Sequence, residues 1–223
     1  MKALIVCGAS AEILHGFDLG LDYGFTLAVS SKQDFSAAQY DRVMSFEELT
    51  ATSHLAKALP RGLCSLDVVW ASALKESAPF VAVDDSDIEQ LIFVNTHLLV
   101  LSIKRLVRTA MKYGGGSFVF LSSVRVNQPT VGTSIYSSSK AFGETFFRSL
   151  AVEYGKFGLR FNSIRLGIAE SGMSAHLSAS ERERLLDQST IGRTVHLDEV
   201  WNALHFIFTN NSLNGAIVEL GGI

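Results

Sequence analysis

The stretch Phe118-Val119-Phe120-Leu121-Ser122-Ser123, with Tyr136-Ser137-Ser138-Ser139-Lys140 beginning thirteen residues after Ser123, decides how the chain reads. Four apolar residues in succession show no alternation with polar ones, the pattern of a strand covered on both faces. Just upstream, Gly114-Gly115-Gly116 stops a long amphipathic helix predicted over 84–113, whose first turn carries Asp84, Asp85 and Asp87. Downstream, residues 136–154 have helical period and 159–166 form the next apolar strand. The alternation continues toward both ends. Strands are predicted at 3–7, 26–30, 41–45 (a weak one), 67–71, 117–122 and 216–220, and further helices at 11–23, around 46–59 and at 197–209. This order predicts an α/β fold: one doubly wound parallel sheet of about seven strands with helices on both faces. Ligands of such sheets bind outside the carboxyl ends of the strands. Residues just after Cys7, Ser30, Ala71, Leu121 and Leu166 therefore share one rim.

Composition agrees with a single packed unit. The 223 residues are 48% hydrophobic and 18% charged, too apolar for a disordered chain. Only 3 prolines and no Gly/Ser tract leave no visible linker, so 1–223 is expected to be one domain. A net charge of −3 gives no global attraction to nucleic acid or anionic lipid. The apolar helical stretch 91–103 is interrupted by Asn95, Thr96, His97 and Ser102, short of the ~18 apolar residues of a membrane span. Cys7 and Cys64 lack a CxxC partner and suit a reduced compartment, with the cytoplasm as the expected location. The six histidines contain no HxH or HxxxH spacing, so no metal is expected.

The chemistry lies in Tyr136 and Lys140. At i and i+4 on a helix they share one face. A phenol titrates near ~10, and a neighbouring ammonium stabilises the phenolate and draws that value toward the working range. Ser123, at the end of the fifth strand, stands on the same rim to hold a carbonyl oxygen. Alone the pair is an ordinary helix face; behind a strand ending in Ser-Ser it becomes a proton-transfer site.

In these residues the chain resembles the short-chain dehydrogenase/reductase family over nearly its whole length. The strand 118–123 looks like the family's catalytic-serine strand, and Tyr136 and Lys140 match its YxxxK. The run 159–167 is similar to the strand that follows, Ile191-Gly192-Arg193 with Glu199-Val200 to the entry of the C-terminal helix, and Glu219-Leu220-Gly221-Gly222 to the closing strand. Asn95 falls where the family has a helix asparagine. The resemblance implies a Rossmann-type fold and an oxidoreductase interconverting a ketone and a secondary alcohol. Tyr136 would move the proton, Ser123 bind the oxygen, Lys140 lower the tyrosine pKa and hold the nicotinamide ribose, and Asn95 anchor a water of the proton relay. It also implies a homodimer or homotetramer formed through the two long helices.

The cofactor half departs from the family pattern. Of the TGxxxGxG loop only Gly8 remains in Cys7-Gly8-Ala9-Ser10-Ala11-Glu12-Ile13-Leu14, and a one-residue deletion would put Ala11 and Ile13 at the other glycine positions. Ala71-Ser72-Ala73-Leu74 replaces Asn-Asn-Ala-Gly. No acid ends the second strand; Ser31 and Lys32 would accept a 2′-phosphate, which favours NADP(H) over NAD(H). The implied cofactor contacts are Gly8, Ser10, Ala11, Ser31, Lys32, Ala71, Tyr136, Lys140, Gly167, Ala169 and Ser171. Residues 168–195 would form a substrate lid, whose Met173, Leu177, Leu185 and Leu186 suit an acyl or other apolar ketone. Arg125 would face a substrate carboxylate or a carrier-protein phosphate, or else lie at the surface. Two other readings keep the fold: a cofactor-free lyase or dehalogenase using Ser123 and Tyr136, and a non-catalytic binding subunit.

Overall fold

Seven parallel strands run in the order β3-β2-β1-β4-β5-β6-β7 in the computed structural model, which describes residues 1–9, 23–31, 39–51, 54–76, 78–170, 182–183, 186–187 and 189–222. The strands are β1 (Lys2–Cys7), β2 (Phe25–Val29), β3 (Arg42–Met44), β4 (Ser65–Trp70), β5 (Gly116–Ser123), β6 (Leu159–Leu166) and β7 (Ile217–Leu220). The expected doubly wound parallel sheet is therefore present. Winding reverses between β1 and β4, which pair with Cys7 opposite Trp70. That register, with Trp70 opposite Phe120 and Ser123 opposite Leu166, brings the carboxyl ends to one rim.

The uninterrupted apolar strands follow from two cores, one on each face. Along β1, Ala3, Ile5 and Cys7 enter one layer while Leu4 and Val6 enter the other. Along β5, Phe118 and Phe120 alternate in the same way with Val119 and Leu121. With no solvent face there is no polar alternation to see. Cys7 is a core residue, and burial pushes its thiol well above the ordinary range.

Helices pack on these layers: α1 (Phe46–Thr50), α2 (His54–Ala58), α3 (Asp85–Ile92), α4 (Leu99–Lys112), α5 (Ser134–Tyr154) and α6 (Leu197–Thr209). The helix expected around 46–59 is two short ones, α1 starting on a capping box in which Ser45 and Glu48 bond each other's backbone N–H at 3.1 and 2.8 Å. The helix expected at 11–23 lies almost wholly outside the described residues. The single helix expected over 84–113 is α3 and α4 joined without a break by a π turn, Phe93–Leu98. The 28-residue run Asp85–Lys112 is, contrary to the sequence expectation, long and apolar enough to cross a membrane, since it holds an 18-residue window of mean hydropathy 1.3. Its Leu91, Leu99, Ile103, Leu106, Val107 and Ala110 are buried in the fold, while Ile92, Phe93, Leu101 and Met111 are exposed.

Candidate active site

Ser123 is the last residue of β5, in extended conformation, and its Oγ accepts the backbone N–H of Arg125 at 3.2 Å within the turn Val124–Val126. The Ser123 hydroxyl is close enough to the Tyr136 phenol to favour its phenolate. Tyr136 lies in the first turn of α5, where four backbone N–H groups have no partner in the helix. The side chain of Thr133, at the N-cap, accepts none of those N–H groups. The cap comes from 60 residues away: the buried carboxylate of Glu76 accepts the Ile135 N–H at 2.6 Å and the Tyr136 N–H at 3.0 and 3.2 Å. A negative charge at the positive end of a 21-residue helix is favourable. It also fixes the backbone of the tyrosine. Nothing in sequence spacing marks Glu76, because the contact is purely tertiary.

One turn on, Lys140 is 4% exposed and donates from Nζ to the Leu121 carbonyl at 2.7 Å. Nζ lies 4.9 Å from the Phe120 ring centroid and 5.7 Å from that of Tyr136. Burial draws the ammonium down to about 7, opposed by the charge of Glu144. Tyr136 is pushed up to about 12 by burial, with the Ser123 hydrogen bond and the Arg125 charge pulling down and Glu76 pushing up. Burial thus outweighs at Tyr136 the lowering expected from a neighbouring cation. Burial disfavours the charged form of the lysine too, which weakens its support of the phenolate. The cation that favours the phenolate is Arg125.

Asn95, in the π turn and 4% exposed, is a clamp. Its Oδ1 accepts the Leu74 N–H at 2.7 Å, and its Nδ2 donates to the Leu74 carbonyl and to Ser139 Oγ, both at 2.9 Å. Ser139 in turn donates to the Tyr136 carbonyl at 2.7 Å. One Oδ1 lone pair is left for the expected water. The clamp joins the segment after β4 to α5, and the sequence reading gave Ser139 no role. Nor did it give one to the group behind it: Ser122 Oγ donates to Glu144 at 2.7 Å, and Arg165 bonds both Glu144 oxygens at 2.8 and 2.7 Å.

The implied cofactor contacts divide. Gly8 has φ +85°, and a Cβ there would lie 2.5 Å from the Ser72 backbone nitrogen, so glycine is required by the close approach of two chain segments. Ala71 bonds the Cys7 carbonyl at 2.8 Å on the same rim. Ser31 is exposed there. At Gly167 a Cβ would meet the Gly221 carbonyl at 2.3 Å, which again explains a glycine by packing. Ala169 is buried and bridges to Val195, closing the base of the segment expected to be a lid. Ser10, Ala11, Lys32 and Ser171 lie outside the described residues, as do Met173, Leu177 and Leu185 of that segment; Leu186 is half-buried. Among the described residues no cluster of His, Cys, Asp or Glu could hold a metal ion.

Comparison with known proteins agrees with this rim. A family profile described as enoyl-(acyl carrier protein) reductase matches residues 32–218. The chain is 30% identical over 162 residues to cis-4-hydroxycyclohexanecarboxylate dehydrogenase of Sinomonas cyclohexanicum, covering 71% of this chain and 65% of that protein. It is 26% identical over 159 residues to 4-formylbenzenesulfonate dehydrogenase of Comamonas testosteroni, covering 68% of this chain and 63% of that protein. The matches thus span just under two thirds of these two relatives. Against 3-oxoacyl-(acyl-carrier-protein) reductase of Pseudomonas aeruginosa it is 26% identical over 183 residues, covering 81% of this chain and 73% of that one. The fold superposes on a short-chain alcohol dehydrogenase structure from Sinorhizobium meliloti with a TM-score of 0.84, 17% identity and coverage of 98% and 94% of the two chains. A 2-deoxy-D-gluconate 3-dehydrogenase structure from Agrobacterium tumefaciens with bound NADP gives 0.83 at 18% identity, covering 99% and 95%. With Ser123 beside Tyr136, Lys140 one turn on and a profile match over most of its length, the chain belongs to the short-chain dehydrogenase/reductase family.

Proposed function

We propose that the protein is an NADP(H)-dependent oxidoreductase that interconverts a ketone and a secondary alcohol. The observation that carries this reading is the meeting of Ser123, at the end of β5, with Tyr136 on the carboxyl rim, and buried Lys140 on the next turn of the same helix. Ser123 would bond the substrate oxygen, and Tyr136 would deliver a proton to it in reduction or remove one in oxidation. A positioned acid of this kind contributes roughly 10²–10⁴-fold. Three relatives and one solved structure carry names of dehydrogenases or reductases acting at an alcohol or a carbonyl, which supports the same chemistry here.

The donor set fits a nicotinamide dinucleotide. An ammonium has three donors, and Lys140 has one acceptor among the described residues, the Leu121 carbonyl. The other two suit ribose hydroxyls at the crevice beside β1 and β4, where dinucleotides bind in sheets of this winding. When bound, the nicotinamide supplies or accepts the hydride. Ser31 on the rim, with Lys32, is proposed to take the 2′-phosphate. The bound NADP of the structural neighbour is in keeping with this choice.

Titration with NADPH, NADH and NADP⁺, read by nicotinamide fluorescence and melting temperature, tests the reading. A cofactor at ~100 times its Kd should stabilise the fold by ~2.7 kcal/mol. No response to any of the three overturns it, and Lys32→Asp should reverse the preference between NADPH and NADH.

A further inference from the structure

We infer that Arg125 is the binding site for an anionic group on the substrate, so that the compounds turned over are oxo acids and their hydroxy acids. The inference rests on the oxidoreductase reading above and names its substrate class. Arg125 is the one arginine among the described residues that is less than a tenth exposed. Its side chain makes one hydrogen bond there, from Nη1 to the Gln128 carbonyl at 3.2 Å, and no ion pair. Other guanidiniums have found acids: Arg165 is held by Glu144 and Glu219, and Arg193 by Glu199. A guanidinium taken out of water without a carboxylate is unfavourable, and buried charges in folded proteins are ordinarily paired. A partner that arrives with the ligand resolves the imbalance.

Position favours a substrate over any other ligand. The backbone N–H of Arg125 is bonded to the Oγ of Ser123, the hydroxyl proposed to hold the reacting oxygen. The guanidinium is also close enough to Tyr136 for each charge to act on the other. An anion on Arg125 would therefore lie on the Tyr136 side of the site, near the carbonyl. The guanidinium has five donors in a planar fork matched to the two oxygens of a carboxylate, and one is in use.

The test uses matched pairs of acid and methyl ester: 3-oxobutanoate, 4-oxopentanoate and 4-oxocyclohexanecarboxylate. Turnover with NADPH is measured for the wild type, Arg125→Gln and Arg125→Lys, and binding of each compound by calorimetry. The acid is expected to exceed its ester in kcat/KM for at least one pair. Arg125→Gln should reduce that ratio roughly 10- to 100-fold, mainly through KM, as expected for a charged hydrogen bond, and Arg125→Lys should restore part of it. Equal losses of kcat on acid and ester, with a displaced pH profile, would make Arg125 an electrostatic support of Tyr136 and overturn the inference. Ester turnover without preferential acid binding also overturns it while the oxidoreductase reading stands. Arg125-dependent acid binding without turnover upholds the site and removes that reading.

Discussion

Replacing Asn95 by leucine tests whether the clamp between residue 74 and α5 holds the site together. The substitution keeps the size of the side chain and deletes three hydrogen bonds, of 2.7, 2.9 and 2.9 Å. At a net ~1 kcal/mol each, their loss removes about 3 kcal/mol. Orphaned groups add little more, for two reasons. Leu74 is 37% exposed, so water can reach its backbone, and Ser139 keeps its bond to the Tyr136 carbonyl. For a domain of this size 1 kcal/mol moves Tm by ~2–4 °C, so a fall of about 6–12 °C is expected. Urea unfolding followed by far-UV circular dichroism, alongside a thermal scan, measures both quantities. Thr96→Val is the control, since Thr96 bonds only the Ile92 carbonyl of its own helix at an exposed position. A loss under about 1 kcal/mol, or no larger than the control's, would refute the clamp.

The other expectations concern protons. Tyr136→Phe should lower turnover by roughly 10²–10⁴-fold or more with cofactor binding retained, and Ser123→Ala should lower kcat with little change in cofactor KM; turnover near wild type in Tyr136→Phe would exclude the tyrosine as the acid. Lys140, at about 7 in the fold against an ordinary 10.5, leaves the unfolded chain binding more protons between those values, so its cost to stability is full below 7 and fades as pH rises toward 10.5. Lys140→Met should therefore gain most in Tm over the wild type near pH 6.5 and least near pH 10, a difference that thermal scans at the two pH values would reveal. Glu76→Gln keeps an oxygen for the Ile135 and Tyr136 N–H groups and removes the charge that raises the Tyr136 pKa. The alkaline limb of ketone reduction should move to lower pH, and an unmoved limb would leave Glu76 as a helix cap only.

How far the sequence could be read follows from the range of each interaction. The sheet was legible because burial on both faces erases polar alternation, which a short window detects. Tyr136 and Lys140 were legible because one helical turn brings i and i+4 together. The π turn at Phe93–Leu98 was not, since one extra residue per turn alters neither composition nor overall period. Glu76 and Glu144 were invisible for a different reason. Their partners lie 59–60 and 21–22 residues away and meet them only after the sheet has formed. Gly8 shows a third limit: a glycine read as one that admits a pyrophosphate also has to admit the backbone of Ser72.

The charges around Tyr136 bear on both proposals at once. Glu76 disfavours the phenolate and Arg125 favours it, while burial weakens the charge on Lys140. The tyrosine is thus poised by one acid fixed to its backbone and one base without a carboxylate. An anion seated on Arg125 would offset the single positive charge acting on the phenol and hold Tyr136 more firmly in its protonated form. Bound oxo acid would then meet the protonated phenol, and bound hydroxy acid a smaller fraction of the phenolate that must take its proton. Substrate charge would in this way favour reduction over oxidation, and the bias would vanish with esters. Forward and reverse rates on one acid and ester pair, compared at a single pH, would show whether Arg125 couples binding to proton transfer or only holds the substrate.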